Sequence, residues 1–284
     1  MKTSITNAYF RKFVSESRGL ELIAKAGFDG VEFNFGMVGW DWYKDDIYFN
    51  DHPFVNGDYL KYAREMKRVA DDNGLTINQT HAPAPTKPKV EEWVERAIEC
   101  TAELECEYLI VHPYTESMEY NVNLAKKFLK KAKECGVKLA FENIWHSYEN
   151  GLAVGPVGCN EKSLLEFLEI LNDENAVACI DIGHASMAGL NTSPEKIILA
   201  LNDRVKTLHI HDNDLKKDLH LIPFTKDIDF VAVAKSLKNI NYSGYITLES
   251  IFAGNESSTE QDIKEYLAKA QAAAKRISDI IQKA

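Results

Sequence analysis

Six side chains able to bind a metal ion, His81, His112, Glu142, Asp181, His209 and Glu249, each stand at the tail end of a short apolar run. Imidazoles and carboxylates brought together in one place point to a bound divalent cation. The runs are Leu75 to Thr80, Tyr108 to Val111, Val137 to Phe141, Val177 to Ile180, Val205 to Leu208 and Tyr245 to Leu248. Glu142 and Glu249 directly follow apolar strands, and a buried carboxylate without a partner is costly. Asp181 makes a third such acid, and too few basic residues end strands to pair them all. A shared metal is the simpler account. His209 and Asp181 complete the site that the two glutamates imply. His211 is expected to face away from His209, in a supporting or loop role, and His52 and His146 are read as structural or surface residues.

Each apolar run is preceded by a segment of helical periodicity, so strand and helix alternate and the strands should be parallel. Strands are expected near 2–6 and 30–35, and then at the six runs above. Helices are expected near 18–26, 58–72, 90–104, 121–135, 161–171, 194–201, 230–238 and 260–281. Eight such units are the arithmetic of a single (β/α)8 TIM barrel, an α/β fold, here one domain over 1–284. In that architecture the carboxyl ends of the strands converge on one mouth, and the six donors lie at those ends.

Local signals support the count. Ser193-Pro194-Glu195 supplies a cap, a first-turn proline and an acid at the positive end of the helix dipole. Thr259 with Asp262 has the form of a capping box, and Gly27, Gly74 and Gly136 stand where helices must stop before a strand. The longest loops follow strands two, five and seven, at the mouth, where recognition is usually built.

The chain has 284 residues, 45% of them hydrophobic, and a formal charge of -10, which suits a soluble protein and disfavours a polyanion partner. Five cysteines without a C-x-x-C pair fit a reducing, cytoplasmic setting. No export signal or membrane helix is expected. A homo-oligomer is compatible with the sequence.

The ordered set His81-Ala-Pro, Val-His112-Pro, Phe-Glu142-Asn, Asp181-x-Gly-His184, His209-x-x-Asp212, Asp218-x-His220 and Leu-Glu249 resembles the xylose isomerase-like barrel superfamily over essentially the whole chain. That group contains sugar phosphate isomerases and epimerases and, as relatives, zinc-dependent AP endonucleases. The resemblance implies that Glu142, Asp181, His209 and Glu249 hold one Mn²⁺, Mg²⁺, Co²⁺ or Zn²⁺, with Glu142 and Glu249 doubling as the acid and base pair. It implies a substrate or further metal contact for His184. His81, His112, Asp218 and His220 match the remaining endonuclease zinc ligands. This chain departs from the endonuclease pattern at Leu219, where that pattern has arginine. It also departs at Ile222-Pro223-Phe224-Thr225, where Gly-x-Gly is common. Where ketose epimerases carry an arginine after the strand-seven histidine, it has Lys216 and Lys217.

The implied reaction is isomerisation or epimerisation of a sugar or sugar phosphate. The cation would chelate a carbonyl and a neighbouring hydroxyl oxygen, and proton transfer would pass through an enediolate. A metal-dependent dehydratase or lyase of sugar-like ketones would use the same groups, and a phosphodiesterase of the endonuclease type would need clustered metals and a basic DNA grip. Trp145 and Lys216 are candidate substrate contacts. Trp40, Trp42 and Tyr43 are further aromatic candidates in an otherwise acidic mouth loop.

Overall fold

Eight parallel strands form the centre of the molecule in the computed structural model, which describes residues 1–36, 38, 40–41, 46–47, 52–84, 88–114 and 117–283. They are β1 (Thr3–Thr6), β2 (Gly30–Asn34), β3 (Thr76–His81), β4 (Tyr108–Val111), β5 (Lys138–Glu142), β6 (Ala176–Asp181), β7 (Val205–His209) and β8 (Ile246–Leu248). Their order is β7-β6-β5-β4-β3-β2-β1-β8, with every neighbouring pair parallel. The two ends meet one residue beyond β7. There Ile210 N donates to Thr247 O and Glu249 N donates to Ile210 O, both at 3.0 Å. This closure sets the ends of β7 and β8, and therefore His209 and Glu249, side by side.

Around the barrel lie α1 (Glu16–Lys25), α2 (Tyr59–Asp72), α3 (Pro88–Glu103), α4 (Met118–Cys135), α5 (Glu161–Leu171), α6 (Pro194–Leu201), α7 (Phe230–Asn239) and α8 (Glu260–Lys283). Every expected strand and helix is present within a few residues, and α5 and α6 coincide with the expectation. The capping logic holds as well. Ser193 Oγ accepts from Lys196 N at 3.3 Å, and Thr259 N donates to Asp262 Oδ2 at 2.7 Å. Gly136, at φ 71°, ends α4 in the left-handed conformation that a side chain would strain. Among the described residues no helix is long and apolar enough to cross a membrane.

The main apolar core fills the space between barrel and helices, with Phe33, Phe128, Phe141 and Phe167 fully buried there. Inside the barrel the apolar packing is small, made by Ile110, Ala140, Val177 and Cys179. The rest of the floor is polar. Ser4 Oγ donates to Asn78 Oδ1, Asn78 Nδ2 to Thr247 Oγ1, Thr247 Oγ1 to Gln79 Oε1 and Gln79 Nε2 to Glu32 Oε2, at 2.6 to 3.2 Å. Buried polar groups are tolerated when each finds a partner, and this chain of partners leads up to Glu32, directly under the donor cluster.

The long loop after β5 holds a hairpin, Ser147–Glu149 paired with Leu152–Val154. Its turn is Asn150-Gly151, both at positive φ, a dipeptide that matches the twist of a two-residue hairpin. The aromatic and acidic stretch after β2 falls mostly outside the described residues: Trp42, Tyr43, Lys44, Asp45 and Asp51 are among these, as are the side chains of Trp40, Asp41 and Asp46.

Candidate metal centre

The carboxyl ends of β5, β6, β7 and β8 bring Glu142, Asp181, His209 and Glu249 together, with one donor atom of each within 4.8 Å of the others. His209 Nδ1 lies 3.1 Å from Glu142 Oε1, 3.4 Å from Glu249 Oε2 and 4.0 Å from Asp181 Oδ2. His209 Nδ1 and Asp181 Oδ2 are both buried and make no hydrogen bond. Buried polar atoms are normally satisfied, so two orphans facing each other across acids fit a cation between them. The four residues are at most 8% exposed.

Tautomers support the same reading. His209 Nε2 lies 2.5 Å from Glu32 Oε2, so this nitrogen carries a proton and Nδ1 is the one turned to the cluster, where a bound cation would take the place of its proton. A carboxylate behind a histidine that faces a metal is the usual device for fixing the ring and raising its basicity. Glu32, wholly buried on β2, was not among the residues expected at the site.

His81 and His112 flank the other oxygen of Glu142. Their Nε2 atoms are 3.5 and 3.0 Å from Glu142 Oε2, and His81 Nδ1 donates to Ala82 O at 2.8 Å. His184, His211, Asp218 and His220 form a separate group on the β6 and β7 loops. Asp181 caps the short helix Ile182–Ala185, accepting from His184 N at 2.6 Å, which turns His184 toward the mouth. Trp145 donates its indole N–H to Asp218 Oδ2 at 2.9 Å and packs on Tyr148, whereas Lys216 is exposed.

The expectation for His211 is corrected. Residues two apart on a strand share a face. Ile210 accordingly points into the outer core, and His211, fully buried, points back into the mouth beside Asp181 and Asp218. His52 is structural, its Nδ1 accepting from Phe54 N and its Nε2 meeting Glu16, and His146 is exposed.

Asp212 also has a part that the sequence reading missed. Its two carboxylate oxygens accept four backbone N–H groups, from Asn213, Thr225, Lys226 and Ile228, and so fold the loop that carries Asp218 and His220. Leu215, His220 and Phe224 in that loop hold positive φ, a strain that persists only where surrounding contacts fix it.

The electrostatics are those of crowded opposite charges. Burial raises the pKa of Glu142, but His209 and His112 outweigh it and hold the carboxyl well below its usual range. Asp181 is lowered in the same way by His184 and His211 against burial. His209 moves oppositely: burial lowers it, and Glu142, Glu249 and Glu32 raise it well above an ordinary imidazole. Half-buried Tyr9 projects from the β1 loop into the same field, its phenol raised by burial first and then by Glu249, Asp218 and Glu32.

The sequence profile described as xylose isomerase-like TIM barrel matches residues 20–272. The chain belongs to that family. Protein MJ1311 of Methanocaldococcus jannaschii is 29% identical over 189 residues, 62% of this chain and 61% of that relative. The chain thus spans about three fifths of the length of this curated relative. Protein y4fM of Sinorhizobium fredii is 22% identical, over 93% of this chain and 89% of its own. Among solved structures, a D-tagatose 3-epimerase-like protein superposes with a TM-score of 0.75 at 22% identity, covering 100% of this chain and 99% of its own. D-psicose 3-epimerase from Clostridium cellulolyticum H10 superposes at 0.74 and 16% identity, covering 99% of each chain. At these identities the structures show a shared fold.

Proposed function

We propose that this protein is a divalent-metal-dependent isomerase or epimerase of a sugar or sugar phosphate. The observation that carries the reading is the convergence of Glu142, Asp181, His209 and Glu249 with two orphaned buried donor atoms facing one another. Three carboxylates and an imidazole suit Mn²⁺, Mg²⁺, Co²⁺ or Zn²⁺. Bound there, the cation supplies Lewis-acid stabilisation of charge developing on neighbouring carbonyl and hydroxyl oxygens.

The chain's own residues do the proton work. One of Glu142 and Glu249 takes the proton from the carbon beside the carbonyl, and the other returns one on the far face or at the next carbon. The two carboxylates come from β5 and β8, and so approach a substrate in the mouth from different sides. Glu32 keeps the His209 Nε2 proton in place, and His112 fixes one oxygen of Glu142. His81 and His112 are assigned to substrate oxygens beside that carboxylate. The face of Trp145 meets the apolar side of a sugar, and Lys216 reaches a substrate oxygen from the rim. The structural neighbours described as D-psicose 3-epimerase and L-ribulose 3-epimerase support a carbohydrate substrate.

A second reading, phosphodiester cleavage, draws on one observation: His81, His112 and Glu142 form a further donor group beside the first. Protein incubated with Mn²⁺ in D₂O and a panel of ketoses, ketose phosphates and inositol-derived ketones separates the two. We expect deuterium at a carbon in at least one compound; no exchange across the panel, with nicking of an abasic oligonucleotide, would reverse the ranking.

A further inference from the structure

The pole of the barrel opposite the metal centre is hollow. Barrel interiors are normally filled in layers by inward side chains. Here a cavity of about 570 Å³ opens between the amino-terminal ends of β3 and β4 on one side and those of β7 and β8 on the other. That volume is in the range of small-molecule sites. Tyr108, Tyr245 and Asn78, all half-buried, line it, with exposed Ser243 at the rim and the buried Gln79 and Thr207 at the inner end.

The fold keeps this space open. Gly30, at the start of β2, contributes no side chain, and a Cβ there would stand 2.8 Å from Tyr245 Cε1 and 2.9 Å from Asn78 Oδ1. Any other residue would push away the ring and the amide that form this wall. Tyr242 donates its hydroxyl to Tyr245 O at 3.0 Å, and a Cβ on Gly244 would collide with that hydroxyl. Lys2 Nζ reaches Tyr245 OH at 3.4 Å. The base is fixed in advance as well. Gln79 Nε2 donates to Glu32 Oε2 and Leu208 O, and its Oε1 accepts from Asn78 Nδ2 and Thr247 Oγ1. Beside it Thr207 Oγ1 is buried and finds no hydrogen-bond partner among the described residues. Such a hydroxyl is an exception in a folded chain, and a polar group entering the cavity would satisfy it.

The charges that line the cavity cancel. Glu105 meets Lys67 at 3.0 Å and Glu107 meets Lys138 at 2.7 Å, which leaves Asp203 and Lys206, one group of each sign. Neither an anion nor a cation is drawn in. What remains is two aromatic faces beside amide and hydroxyl groups, a surface for an uncharged molecule with apolar C–H faces and many hydroxyls.

We propose that this amino-terminal cavity is a binding site for an uncharged polyhydroxylated ligand, a free sugar or polyol, separate from the metal centre. The rings of Tyr108 and Tyr245 hold the apolar sides of the ligand, and Asn78 Oδ1 and Thr207 Oγ1 meet its hydroxyls. Because the walls are already in place, little ordering opposes binding. The proposal stands independently of the metal centre.

Crystals of the full-length protein soaked in D-glucose, sorbitol or myo-inositol, with glucose 6-phosphate and glucosamine as charged controls, test it alongside calorimetric titration with the same compounds. Density is expected between Tyr108 and Tyr245 for at least one uncharged compound and for neither control. Ser243→Trp, at an exposed rim position, should close the entrance and remove this binding. Tyr245→Ala should weaken it by about 10-fold, the loss of one stacking face. Thermal melts check both variants, and the soaked crystals of the unmodified protein decide the matter if either fails to fold. Density for the uncharged compounds only at the metal mouth, or nowhere, overturns the proposal. So do calorimetric affinities unchanged in both folded variants, or a charged control that occupies the cavity as tightly as the uncharged compounds.

Discussion

Glu249→Gln loses carbon-bound hydrogen exchange by about 10²–10⁴ while the protein keeps its fold, because a positioned carboxylate contributes that much to proton transfer and an amide cannot accept the proton. The substitution is isosteric, and Glu249 at 8% exposure is at the mouth rather than in the helix-facing core, so packing is little disturbed. The factor corresponds to about 2.7–5.5 kcal/mol of barrier. Glu142→Gln should fall as far, with a greater loss of metal, since Glu142 also faces His81 and His112. The check is the initial rate of deuterium uptake from D₂O under saturating Mn²⁺, with thermal melts alongside. A Glu249→Gln protein that exchanges at nearly the unmodified rate removes Glu249 from the proton pathway.

Glu32→Gln weakens the bound ion by about 10–100-fold without touching it, the cost typical of losing a partner behind a ligand. Gln can still accept the His209 Nε2 proton, so the ring stays where it is. What disappears is the charge that raises the basicity of Nδ1. Burial opposes ionisation of Glu32, but His209, then His81 and Gln79, outweigh it and keep the carboxyl well below its usual range. The negative charge is therefore present at neutral pH for His209 to use. Competition against a chromophoric chelator reads the effect, and an unchanged affinity would make Glu32 a packing residue only.

These two glutamates mark where the sequence was readable. Glu249, Glu142, Asp181 and His209 each end an apolar strand, and a parallel barrel delivers strand ends to one mouth, so their meeting followed from topology alone. Glu32 gave a weaker signal, an acid within the buried run Gly30–Asn34 whose partner His209 lies across the barrel. Strand alternation could have placed His211 with His209, and applied correctly it does. Asp212 stood in the His209-x-x-Asp212 motif, but its role could not be read, since its partners are backbone groups of an irregular loop. Trp145 illustrates the remaining gap: its position at the mouth was legible, but the bond from its indole to Asp218 depends on how two loops cross. Asn150-Gly151 could have signalled the hairpin beyond it, but only a long loop was expected there.

Anomalous diffraction from crystals grown with Mn²⁺ or Zn²⁺ tests the metal centre most directly. The account predicts a peak bounded by Glu142, Asp181, His209 and Glu249, each contributing an atom at about 2.0–2.3 Å. Metal-saturated crystals with no peak among these four side chains, their donors satisfied only by one another and by water, would contradict it.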